Sequence, residues 1–308
     1  MNRQKSSCGQ AYVITILFLV VLLGMAAAVL DVGSWYRAHR SLQATVDAAA
    51  LAGAQALPQS TAQASALASQ YAAKNGGGKM QISFSSKVFT NDTITVTGQR
   101  PAPGFFAKVF GVETVTVKTH ASARAGYPTQ VRWVAPIVVN IKHPMLNCNP
   151  NPCQDPTELD YYDLKTAKGP DAAGSFGFIN LTGDNGVGAN ELGNWITDGF
   201  DQWLAPGKYF VSTGNPFSST NIQGALNQKI KEGDVLLFPI YDHINGTGTT
   251  AKYHIAGFAA FLITSMDLKG NNEKFFGHFV SITWDGIQAE KASDAPPYFG
   301  VKSVSLVD

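Results

Sequence analysis

Residues 11–57 read AYVITILFLVVLLGMAAAVLDVGSWYRAHRSLQATVDAAALAGAQAL, and the reading of this stretch decides the fold. Between Ala11 and Leu30 there is no charge. An apolar helix of that length crosses a hydrocarbon core of about 30 Å. The alanine-rich sequence after Leu30 keeps a helical pattern without a break. The expectation is one helix that leaves a membrane face and continues as a stalk. Two fates of residues 11–30 stay open. Arg3 and Lys5 form a basic n-region and Ala26-Ala27-Ala28 offers a small-residue cleavage site, as in a signal peptide. Full spanning length and the unbroken pattern beyond it favour a retained anchor. No apolar run precedes Cys8, which argues against a lipoprotein.

The stalk has one periodic face. Trp35, Ala38, Leu42, Val46, Ala49, Gly53 and Leu57 recur at spacings of three and four. Ala49 and Gly53 make a small-xxx-small step of the kind that lets two backbones approach closely. No charge occurs from Ala48 to Ala73. Either the face packs on its own domain, or it bundles with partner helices or copies of itself. In the second case a bulky residue at Ala49 or Gly53 breaks assembly. Pro58 interrupts the helix, and Ser60 or Thr61 is the expected N-cap of a second one over residues 62–74, ended by Asn75-Gly76-Gly77-Gly78. The period then changes from 3.6 to 2. Residues 81–85 and 93–97 alternate around an Asn91-Asp92 turn, 104–111 (GFFAKVFG) read as a short amphipathic helix, and 114–123 alternate again.

These residues resemble the N-terminal region of TadE/TadG-like Flp (tight adherence) pilus assembly proteins. The matching features are Gly9-Gln10-Ala11 before the apolar run, Asp31-Val32-Gly33 at its exit, Tyr36 and Arg40, Leu42-Gln43, and the run from Asp47 to Ala54. The resemblance is firm over residues 9–57, extends to Gly126, and covers the remainder loosely. It implies an accessory component of a pilus or type II secretion-like machine, anchored in the bacterial cytoplasmic membrane and acting outside the cytoplasm. Two departures matter. Processed pseudopilins of this group carry glutamate where, counted from Gly9, this chain has Ile14, which counts against prepilin-peptidase processing. Many relatives carry a von Willebrand A domain whose metal site begins Asp-x-Ser-x-Ser. That string is missing here, so the domain and its Mg²⁺ are not expected.

Composition bounds the rest. The 308 residues suffice for two domains, and a formal net charge of +1 gives no electrostatic case for nucleic acid. From residue 131 onward, five apolar segments (131–141, 235–240, 253–265, 276–284 and 300–307) read as strands. A turn is expected at Gly270-Asn271-Asn272, and helical stretches over 189–200 and 222–231. The class is a mixed, mostly antiparallel sandwich or open barrel. Cys148 and Cys153, in CNPNPC, suit a small disulfide in an oxidising compartment, or are two thiols. No second pair exists to complete a zinc site.

Chemistry is sparse. There is no G-x-S-x-G, H-E-x-x-H, P-loop or G-x-G-x-x-G after a strand. Residues 184–191 (DNGVGANE) resemble a calcium loop without the EF-hand spacing. Asp242, His243 and His254 meet if 236–242 and 253–265 pair as a hairpin, with His143 or Cys148 as further members of a site. Asn91, Asn180 and Asn245 begin acceptor sequons. The aromatic stretch from Trp195 to Trp203, with Tyr209 and Phe210, is a core or a docking surface.

The reading is an α+β protein: a cytoplasmic tail (1–10), a transmembrane helix (11–30), a stalk helix with a small pilin-like α+β module (31–126), and a β-rich extracytoplasmic domain (131–308). It is expected to be a non-enzymatic, cofactor-free accessory protein of Tad/Flp-type pilus assembly or related secretion. Its expected partners are the membrane, pilin-like or other assembly proteins through the stalk helix, and possible self-association. The alternative is a membrane-tethered extracytoplasmic enzyme or ligand-binding protein.

Overall fold

A helix continues while nothing breaks its backbone ladder, and residues 8–54 contain no proline. The computed structural model, which describes residues 8–148, 152–153, 155–161, 175–184, 186–212, 216–268 and 273–307, has one helix there, α1 (Cys8–Ala54). Its apolar part is long and apolar enough to cross a membrane, and its most apolar stretch is not buried. The chain divides into two units, one reaching Arg124 and the other running from Ala125 to Val304. Residues 305–307 belong to the first unit, whereas the sequence reading places them in the second.

In the first unit, α1 is followed by α2 (Thr61–Lys74), whose N-cap Ser60 accepts from the Gln63 N–H at 3.2 Å. Three strands follow as an antiparallel meander: β1 (Lys79–Ser85), β2 (Thr93–Pro103) and β3 (Thr114–Gly126, within this unit to Arg124). The expected helix at 104–111 is only a 3₁₀ turn, Ala107–Phe110, with no buried residue. Alternation puts Ile94, Val96, Val117, Ala121 and Ala123 on the buried side of the sheet, with Gly98 among them. Leu42, Val46 and Ala49 of α1 are fully buried. The approach is close. A Cβ on Gly98 would stand 2.7 Å from Val46 Cγ1, and one on Gly53 would stand 2.9 Å from the Ala64 carbonyl oxygen in α2. On its side α2 buries Ala64, Ala68 and Ala72, a row of methyl groups at helical spacing. The hairpin turn is fixed by Asp92, whose carboxylate accepts the N–H groups of Lys87, Val88 and Phe89 at 2.7–2.9 Å. Burial alone would raise that carboxyl. These donors and the Thr93 hydroxyl hold it below the usual range.

The second unit is a barrel. Its strands are β4 (Pro128–Val131), β5 (Ile137–Asn140), β6 (Thr157–Tyr161), β7 (Ser175–Phe178), β8 (Gly207–Phe210), β9 (Val235–Asn245), β10 (Lys252–Asp267), β11 (Lys274–Val280), β12 (Ile282–Thr283), β13 (Gly286–Gln288) and β14 (Val301–Leu306, within this unit to Val304), and of these β5, β6, β7, β9, β10 and β11 make the barrel ring. Pairing runs β11-β6-β7-β5-β9-β10, and β10 pairs again with β11, so the ring closes. The long β10 makes closure possible, because one edge serves β9 and the other serves β8 first and β11 later. The β5–β9 and β6–β7 pairs are parallel and the other pairs in the ring antiparallel. The interior is filled by Phe176, Phe178, Phe238, Phe261, Phe275 and Phe279. Helices α3 (Ala189–Asp198) and α4 (Thr220–Glu232) bury Leu192, Trp195 and Ile196 and Ile222, Ala225 and Leu226 respectively. The stretch expected as one strand over 131–141 is split: β4 pairs with β13, and Trp133 takes a positive φ of 62° before β5 begins. The expected turn at residues 270–272 lies outside the described residues.

Lys302 on β14 is buried, and burial pushes its ammonium down to about 8. An unfolded lysine titrates near 10.4. Between those values the unfolded chain holds the extra proton, so stability rises with pH across this window. The gain from Lys302, discounted for the solvent that still reaches it, is about 1–2 kcal/mol. Denaturant titrations of the full chain and of Lys302→Met at pH 7.5 and 9.5 are expected to differ in this slope, with the variant losing the rise. Equal slopes would remove Lys302 as its source.

Candidate functional site

A carboxylate at the end of an apolar helix needs either water or hydrogen-bond donors. Asp31, the first charged residue after the apolar run, is 3% exposed and has donors. Its Oδ1 accepts from the Phe105 N–H at 2.7 Å and its Oδ2 from the Ala107 N–H at 2.5 Å, with the Phe106 N–H reaching both oxygens at 3.1–3.2 Å. Burial raises this carboxyl, and the three amides outweigh it and leave it below the usual range. These are the orphan N–H groups at the start of the 3₁₀ turn, so Asp31 ties that turn to α1 across 74 residues of sequence. One turn further along α1, the Trp35 indole N–H donates to the Pro103 carbonyl at 3.2 Å. The turn therefore stands beside the end of the apolar segment. Gly24, Ala27, Ala28, Asp31, Phe106 and Phe110 line one cleft of about 170 Å³.

The remaining residues singled out on α1 separate into two stripes. Leu42, Val46, Ala49 and Gly53 are buried inside the unit, and Trp35 is half-buried. Gln43 reaches β3: it accepts from the Thr119 hydroxyl and donates to the His120 carbonyl and to half-buried Asp47. Gly33, Tyr36 and Arg40 face outward, and nothing stands within 4 Å of a Cβ built on Gly33. Ala28, Val29, Val32, Gly33 and Tyr36 line an open apolar groove. Gly9 and Gln10 lie in the first turn of α1.

The second unit holds one cluster of metal-ligand type among the described residues. His243 pairs with His254 across β9 and β10, the next pair is Tyr241 with Ile255, and Asp242 between them is a bulge. A bulge turns two successive side chains to one face. The imidazoles stack at 4.6 Å, and their Nδ1 atoms lie 2.6 and 2.9 Å from Asp242 Oδ1. Burial would raise the Asp242 carboxyl, but the hydrogen bond and charge of His254 and the charge of His243 hold it down. Two imidazoles and a carboxylate are the ligand set of open Zn²⁺ sites. Here the carboxylate serves the two rings as a shared acceptor. His143 is not in this cluster: its Nδ1 accepts from the Met145 N–H at 3.1 Å and its ring packs edge-on against Phe279.

Cys148 and Cys153 form a disulfide with Cα atoms 5.8 Å apart. Of the loop at 184–191, residue 185 lies outside the described residues. The carbonyls of Asp184 and Gly186 accept from the Asn180 amide, whose oxygen in turn takes the Thr182 N–H and hydroxyl. That buried amide organises the loop and is closed to glycosylation. Trp195 and Phe200 belong to the core, while Trp203 is exposed and packs with Trp133 around the Arg132 guanidinium.

No curated protein and no solved structure matches the chain. A family model does match, over the apolar helix, the Asp31 anchor and the buried packing face just described: residues 9–56 fit the family described as "Putative Flp pilus-assembly TadE/G-like".

Proposed function

We propose that this chain is a non-enzymatic, membrane-anchored accessory component of a Tad/Flp-type pilus assembly or related secretion machine. The observation that carries this reading is the family match over residues 9–56 on a helix able to span a membrane. The amino terminus lies in the cytoplasm and the chain from Asp31 onward outside it. The disulfide supports that orientation, since such bonds persist in oxidising compartments. Partner contact is assigned to the outward stripe of Gly33, Tyr36 and Arg40. The stripe of Leu42, Val46, Ala49 and Gly53 is already used within the unit. The alternative, a tethered enzyme or ligand-binding protein, has the Asp242–His243–His254 cluster in its favour.

The test is deletion of the gene in its host, complementation, and a count of surface pili by electron microscopy. The full chain is expected to restore pili, a form lacking residues 11–30 is not, and Tyr36→Ala with Arg40→Ala is expected to lower the count at an unchanged membrane level of the protein. Unchanged pili on deletion would overturn the reading. Dependence of a host phenotype on His254→Ala, with pili intact, would favour the alternative.

A further inference from the structure

Residues 104–112 read GFFAKVFGV, and the fold leaves their apolar side chains outside. Phe110 is 82% exposed, Val109 81% and Phe105 65%, and Phe106 and Val112 are also exposed. A soluble surface has no reason to collect five large apolar groups within eight residues. Their position supplies one. Phe106 and Phe110 line the same cleft as Gly24, Ala27 and Ala28, which belong to the last two turns of the apolar helix. At 1.5 Å per residue, Gly24 lies about 9 Å before Leu30 along the axis. If residues 11–30 fill a hydrocarbon core of about 30 Å, the rings of this turn stand at the depth of lipid.

We propose that the 104–112 turn inserts into the bilayer leaflet from which α1 emerges, with Phe105, Phe106, Val109 and Phe110 among the acyl chains and Lys108 at the headgroups. The hydrogen bonding fits that setting. Backbone N–H groups near hydrocarbon must be satisfied internally, and those of Phe105, Phe106 and Ala107 are satisfied by Asp31. The same bonds let a carboxylate sit at the membrane boundary without water. Exposed Lys108 has the long apolar stem that lets a charged head reach the interface. Exposed Tyr36 stands just beyond Asp31 on α1, at the level where interfacial aromatics collect. The turn would fix how deeply and at what tilt the first unit rests on the membrane, which one helix alone does not.

This inference rests on the anchor reading, so the experiment tests both. The full chain carrying Cys8→Ser is reconstituted in phosphatidylcholine–phosphatidylglycerol vesicles and spin-labelled at Val109→Cys, Val29→Cys or Tyr71→Cys. Collision with oxygen is compared with collision with a water-soluble nickel chelate. The Val109 label is expected to match the Val29 label, relaxed by oxygen and shielded from the chelate, while Tyr71 shows the reverse. A chelate-dominated Val109 label beside an oxygen-dominated Val29 label would overturn insertion alone. A chelate-dominated Val29 label would overturn the anchor as well. A Val109 label shielded from both reagents would place a protein against the turn and also overturn the proposal.

Discussion

Gly53→Leu is expected to unfold the first unit of the full chain. A Cβ at this position stands 2.6 Å from Ile94 Cδ1, 2.9 Å from the Ala64 carbonyl oxygen and 3.1 Å from Ala68 Cβ. The isoleucine tip can rotate away. The carbonyl belongs to the first turn of α2 and cannot. Overpacking a well-filled core costs about 1–3 kcal/mol and more when backbone must shift, and an isobutyl group here falls at or above about 3 kcal/mol. Gly53→Ala is the control. It carries the same Cβ against the same carbonyl but nothing beyond it, and a gain of about 1 kcal/mol in helix propensity offsets part of that strain. Amide hydrogen exchange on the full chain in detergent reads the outcome. In the leucine variant protection of α2 and β2 is expected to collapse, and in the alanine variant to fall by less. Wild-type protection in Gly53→Leu would mean that α2 does not lie against α1. The result also bears on function. Under the proposed function, loss of pili in Gly53→Leu would report folding, whereas loss in variants at Gly33, Tyr36 or Arg40 would report on the proposed partner contact.

What could be read from the sequence follows from how local each cause is. The α1 pattern, the Ser60 cap and the alternating strands of the first unit depend on neighbours within one or two turns, and α2 and the three strands begin within two residues of the expected positions, although β2 and β3 run on to Pro103 and Gly126. The role of Asp31 was not, because its donors lie 74–76 residues away. The GFFAKVFG segment misled for the opposite reason: its amphipathic look suggested a buried face, and the fold leaves its apolar side chains exposed. In the second unit the long strands were apparent, but barrel closure was not. It depends on β6 and β7, of five and four residues, too short to show a period. The meeting of Asp242, His243 and His254 followed from a hairpin, yet the bulge that turns both Asp242 and His243 to one face leaves no mark in composition.

Phe176→Ala is expected to be the most damaging truncation in the second unit. Phe176 is fully buried on β7, stacked on Phe275 of β11 at 4.3 Å and edge-on to Phe178 and Phe217 at 6.4 and 6.1 Å. Phe217 also meets Phe178 and Phe275 at 5.3 and 5.8 Å, so four rings brace one another. Removing a buried phenyl ring costs about 3–5 kcal/mol, and aromatic pairs add about 0.5–1.5 kcal/mol each beyond their area. A domain of this size holds roughly 5–15 kcal/mol in total, so the near-ultraviolet circular dichroism melt of this unit is expected to move down by about 10 °C or more. Phe176→Leu, which keeps most of the volume, is expected to lose under about half of that. The outcome decides where a ligand could be sought if the pilus reading fails. A large loss means the barrel is filled by its own side chains, which leaves the outward Asp242–His243–His254 cluster as the place to look. An unchanged melt in Phe176→Ala would mean a loosely packed interior, and the search would turn to the inside of the barrel.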